Sequence, residues 1–176
     1  MGRLVRALIL LVVIDALLGV GLRVLLQILP REPLCVAWAS LAADNADKCD
    51  VVLQGDLLNC LRLTLIRIMA APVATGGVWL LVGYGIHDWG TPGGLRRKTP
   101  IWWFTAAASA LGAGLLAYWQ PPESNVLAEG ARIEVSLIAV AVAVIVYCFS
   151  TVLVTPRVLL GQVPGGTLLM RPGRPT

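Results

Sequence analysis

Histidine is almost missing from this chain: there is one, His87, in 176 residues, beside only four cysteines. With no CxxC pair and no His/Cys cluster, a metal centre has no donor set to build on. No GxxxxGK[ST] phosphate loop is present, which excludes ATP hydrolysis on motif grounds. Charge is scarce too, at 14% of residues, and a soluble domain needs more polar surface than that. The lone His87 is expected as a polar residue at a helix end rather than as a ligand or proton carrier. No cofactor and no catalytic residue is predicted, and the chain is not expected to be an enzyme.

Apolar residues fill the space that charge leaves. They make up 57% of the chain, with a mean hydropathy of +0.80. This length gives room for about four spans of roughly 20 residues with short connections, and none for a separate soluble catalytic domain. The net charge of +4 and pI near 9.2 are expected to report topology, with no nucleic-acid partner, because basic residues along a membrane chain cluster on one side of it. The opening MGRLVRALILLVVI has the basic and apolar regions of a signal peptide. Its apolar run continues to Leu29 without a small-x-small cleavage site, so an uncleaved signal anchor is expected.

Four spans are predicted. The first, 4–29, is closed by Pro30 and Pro33 and holds Asp15 near its middle, with Gly19 and Arg23 following at intervals of four. An aspartate at the centre of a lone span costs about 2.5 to 3.5 kcal/mol, so Asp15 is expected to face protein or water. The second, 57–86, is over-long, contains Arg62 and Arg67, and has Pro72 as a kink site. Arg62 lies close enough to the end to snorkel; Arg67 lies deeper. The third, 101–119, is framed by Trp102 and Trp103 at one end and Tyr118 and Trp119 at the other, as interfacial belts. Within it Ala106, Ala110 and Gly114 form a small-xxx-small stripe, which predicts close helix packing in the bundle or against a partner. The fourth, 132–154, is rich in valine and isoleucine; its length and lack of turn signals favour a span over a strand. The tail 155–176, with four prolines and three arginines, is expected to be flexible or partner-bound.

The loop between the first two spans carries Asp44, Asp47 and Asp50 and two cysteines, Cys35 and Cys49, a candidate disulfide in an oxidising compartment and a pair of thiols in a reducing one. The next loop carries Arg96, Arg97 and Lys98, and the one after it Glu123 and Glu129. Placing the basic N-terminus, the basic loop and the arginines of the tail together leaves both acidic loops on the other side. The expected fold is therefore an all-α, four-span transmembrane bundle with both termini on the cytoplasmic or matrix side. Counting along the helices puts Asp15 at a depth within reach of Arg67, and Glu134 near Arg62 or Arg23. Three roles compete for these charges: holding the bundle in register, moving a proton or solute, or pairing Asp15 with a cation on another protein's span.

The strings VVIDALLG around Asp15, WLLVGYG at Trp79 to Gly85, and PIWWFTAAASALGAGLLAYWQPPE at Pro100 to Glu123 are similar to the extra N-terminal membrane domain of peptide-transporting ABC half-transporters of the antigen-processing and lysosomal type. The similarity covers about residues 3 to 123. It departs from the family in placing WLLVGYG at the end of the second span instead of in the third, and the chain holds no transporter core. The resemblance implies a small bundle for partner binding and targeting, with Asp15 as the acidic residue that meets a basic one in a partner's span, in an endoplasmic reticulum or lysosomal membrane. The expected function is a non-enzymatic interaction or assembly module for other integral membrane proteins in the lipid bilayer. The alternatives are an accessory subunit of a respiratory or photosynthetic complex, in an organellar inner membrane or bacterial plasma membrane, and a small membrane carrier.

Overall fold

A computed structural model of the chain describes residues 2–28, 51–85, 98–119, 129–155 and 163, the side chains of 51–58, 85, 98 and 129–131 excepted. These residues form four α-helices: α1 Gly2–Ile28, α2 Val51–Gly85, α3 Lys98–Tyr118 and α4 Glu129–Val154. Each is long and apolar enough to cross a membrane, which makes the chain an all-α integral membrane bundle. The Cys35–Cys49 question, the acidic and basic loops, His87 and nearly all of the tail lie outside the described residues.

Helix is the outcome even for valine-rich α4, because hydrocarbon offers no partner for a backbone amide and a helix satisfies its own. One helix falls on each of the four predicted segments, with different edges. α2 starts six residues before the expected 57, and α3 starts at Lys98 because Pro100 falls in its first turn, where a missing amide costs no helical hydrogen bond. Pro72 is buried within α2, which runs on past it, so the Ile68 carbonyl lacks its usual amide donor there. Over 35 residues α2 is about 52 Å long, and its apolar segment Asn59–Tyr84 is the part that spans.

The helices run alternately up and down, as three sets of contacts show. A Cβ built on Gly76 would meet both Leu11 methyls at 3.2 Å, and one on Gly19 would meet Met69, so α1 and α2 are antiparallel. Trp102 donates its indole N–H to Thr151 at 3.3 Å, while Gly114 touches Ser136 and Val140, so α3 and α4 are antiparallel as well. Trp79 of α2 meets Thr155 just past the end of α4, while Leu65 and Ile68 cluster with Val135 and Ala139 near the start of α4, so α2 and α4 are parallel and α2 is antiparallel to α3. One apolar cluster, with Leu11, Trp79, Leu80, Trp102 and Tyr147, fills the end where α1 begins. A second, with Leu65, Ile68, Ala113, Ala117, Val135 and Ala139, fills the other.

The small residues of α3 act inside the bundle. Gly114 is buried against α4, where the Ser136 hydroxyl donates to its carbonyl at 2.8 Å; Ala106 is buried and Ala110 half-buried. Small side chains let the two backbones approach, and the approach supplies dispersion contacts and this interhelical hydrogen bond. The most deeply buried small residues on α3 are shifted by one position from the expected stripe: Ser109, Ala113 and Ala117 are all fully buried.

One expectation fails here. Trp102 is not an interfacial residue: it is 0% exposed and stacked at a tilt on Tyr147, with ring centroids 5.4 Å apart. Its neighbour Trp103 is 56% exposed, and Tyr118 and Trp119 are exposed as well. The reason is helical geometry: adjacent residues differ by about 100° around the axis, so a Trp-Trp pair cannot face lipid with both rings.

Candidate functional site

Asp15 stands halfway along α1, buried at 2% exposure. Neither carboxylate oxygen has a hydrogen-bond partner. Ser150 of α4 lies beside it, but its hydroxyl proton is directed to the Val146 carbonyl at 2.8 Å, the i−4 bond common for serine in a membrane helix. Leaving a buried carboxyl group without a partner costs about 1 to 3 kcal/mol, and more when it is charged. Such a group is therefore the leading functional candidate in the molecule.

Asp15 opens on a groove of about 480 Å³ between α1 and α2. Arg23 and Arg62 line the same groove, with Gly19, Val20, Ile66 and Met69 between them and Asp15. The Gly19–Met69 and Leu11–Gly76 contacts set a register in which Arg62 stands within about one turn of the level of Arg23. A second, more apolar groove of about 190 Å³ lies where α1, α2 and α4 meet, lined by Leu22, Leu26, Thr64, Leu65 and Ile138. Leu65 borders both.

The structure brings together three of the five predicted charges. Arg67 is left out: it is exposed, lies outside the groove and makes no pair with Asp15. Its depth fits, but its direction does not. Leu65 and Met69 face α1, and Arg67, two residues from each, is turned about 200° away from both. Glu134 is also exposed and does not line the groove that holds Arg62 and Arg23.

A polar ladder went unpredicted. At the end of the bundle where α1 begins, Trp79 donates to the Thr155 hydroxyl at 3.1 Å and Trp102 to the Thr151 hydroxyl. Thr151 in turn donates to the Tyr147 carbonyl at 2.6 Å, and the Thr105 and Tyr147 hydroxyls share a short hydrogen bond. The signal was present in α4, where Tyr147, Ser150, Thr151 and Thr155 recur at intervals of three and four in an apolar helix. These groups satisfy one another and pin α2 and α3 to α4. Asp15, by contrast, is left over.

Compared with family models, with curated proteins and with solved structures, the chain matches none.

Proposed function

We propose that this chain is a non-enzymatic docking module of a membrane, whose bundle holds other integral membrane proteins through intramembrane charge. The observation that supports this reading is the Asp15 carboxyl group, buried at mid-helix with both oxygens unpartnered, on the helix with the most exposed apolar side chains. A cation on a neighbouring span would supply the missing counter-charge. The small residues of α3 serve the bundle itself, which leaves α1 as the receiving element. The resemblance around Asp15 implies the same use of that residue.

The positive charges of the N-terminus, of residues 96–98 and of the tail support a topology with both termini on the cytoplasmic or matrix side. The membrane is that of the endoplasmic reticulum or lysosome if the resemblance holds, and otherwise an organellar inner membrane or a bacterial plasma membrane.

Native purification of the full chain followed by mass spectrometry tests the reading. A membrane protein in fixed ratio is expected, and Asp15→Ala should release it while the bundle stays folded. If every partner stays bound and the isolated Asp15→Ala bundle is instead less stable, Asp15 works internally and the docking reading falls. Recovery of a large multi-subunit complex would make the chain an accessory subunit. Solute flux into liposomes by the chain alone, abolished in Asp15→Asn, would replace docking by transport.

A further inference from the structure

Two guanidinium groups stand toward one end of the α1–α2 groove, and the acidic residue in its lining, Asp15, lies at the other end, about two helical turns away along α1. Arg23 is exposed and Arg62 half-buried, and the Nε of Arg62 is buried without a hydrogen-bond partner. Both belong to the outer turns of the apolar segments: Arg23 lies five residues before the end of α1, and Arg62 three residues after the start of Asn59–Tyr84. At that depth a long basic side chain reaches the headgroup layer.

Beyond the arginines the groove is apolar, floored by Gly19 and Met69 and walled by Val20, Ile66 and Ala70, as far as Asp15 and Val12. From Arg23 to Val12 is roughly 16 Å at about 1.5 Å per residue. One leaflet of hydrocarbon is about 15 Å thick, half of the ~30 Å core. The groove is thus a furrow one leaflet long, headed by two cations. Its volume is about 480 Å³, and its one-leaflet length matches an extended acyl chain. Gly19 keeps it open, since a side chain there would project toward Met69, 3.6 Å from the nearest atom of a built Cβ.

We propose that this groove binds one anionic phospholipid, with its phosphate between Arg23 and Arg62 and one acyl chain lying between α1 and α2. Guanidinium groups suit phosphate because their forked donors match its oxygens. A chain in the groove leaves the outer side of α1 free. The lipid is held at the arginine end while its chain runs toward Asp15, and no protein partner is needed, so the inference does not rest on the docking reading.

The test uses the full chain in mild detergent, exposed to equal amounts of phosphatidylglycerol and phosphatidylcholine of the same chain length and read by native mass spectrometry. Wild type should retain one phosphatidylglycerol with a preference of about 25-fold, at about fivefold per arginine. The double variant Arg23→Gln/Arg62→Gln should fall to near parity with unchanged thermal unfolding. Arg3→Gln/Arg6→Gln, at the opposite end of α1, should keep the preference. Gly19→Leu, which fills the furrow and keeps both arginines, should release the lipid, and millimolar inorganic phosphate should not displace it from wild type. Parity in wild type would overturn the proposal, as would a preference that survives the double variant or is lost equally in Arg3→Gln/Arg6→Gln. So would displacement by inorganic phosphate, undiminished retention in Gly19→Leu, or a partner's span covering Arg23 and Arg62 with no lipid retained.

Discussion

Trp102 and Trp103 are neighbours in sequence and opposites in environment. Trp102→Ala removes a fully buried indole and its hydrogen bond to Thr151, at an expected cost of about 3 to 5 kcal/mol. Trp102→Phe keeps most of the packing and loses the bond, about 0.5 to 1.5 kcal/mol. Trp103→Ala, facing outward, should change stability by less than about 0.5 kcal/mol. Reversible unfolding in detergent measures all three, and equal effects at the two positions would contradict the burial. Asp15 has the reverse sign. Asp15→Leu replaces an unpartnered carboxyl group at the edge of a roomy groove with an apolar side chain, and should stabilise the isolated bundle by about 1 to 3 kcal/mol. A stability gain joined to a loss of binding is what a residue kept for a partner would show.

Among the elements, α3 and α4 meet at a seam that leaves no room for a side chain at Gly114. A Cβ on Gly114 would stand 2.9 Å from a Val140 methyl and 3.3 Å from the Ser136 hydroxyl. Gly114→Val should therefore cost about 1 to 3 kcal/mol through overpacking. Gly112→Ala, whose new methyl would meet Ala71 at an ordinary 3.5 Å, should be tolerated within about 0.5 kcal/mol. Melting the two variants side by side separates a seam that needs glycine from one that accepts alanine. The existence of these four helices was legible from the apolar runs, and the importance of small residues in α3 from their spacing. Which charges meet was not legible. Arg67 and Asp15 were matched by depth, a one-dimensional measure, whereas pairing also depends on angle around the axis, and that is set by the Gly19–Met69 and Gly76–Leu11 contacts. The Trp-Thr-Tyr ladder was missed for a related reason: the spacing of the hydroxyls along α4 is visible in the sequence, but their partners Trp79, Trp102 and Thr105 are fixed only when α2, α3 and α4 are assembled.

For the whole molecule, the proposed topology makes a prediction of its own. Cys35 and Cys49, in the connection between α1 and α2, should react with an impermeant thiol reagent only from the face opposite the termini, after reduction if they are bridged. Labelling from the cytoplasmic or matrix side would reverse the bundle. Inside it, the two apolar clusters sit at opposite ends of the bundle, and Leu65 of the second lines both grooves, the one of about 480 Å³ and the one of about 190 Å³. Leu65→Ala should therefore enlarge both at once. One leucine thus sets how much hydrocarbon the two flanks of α1 can take in.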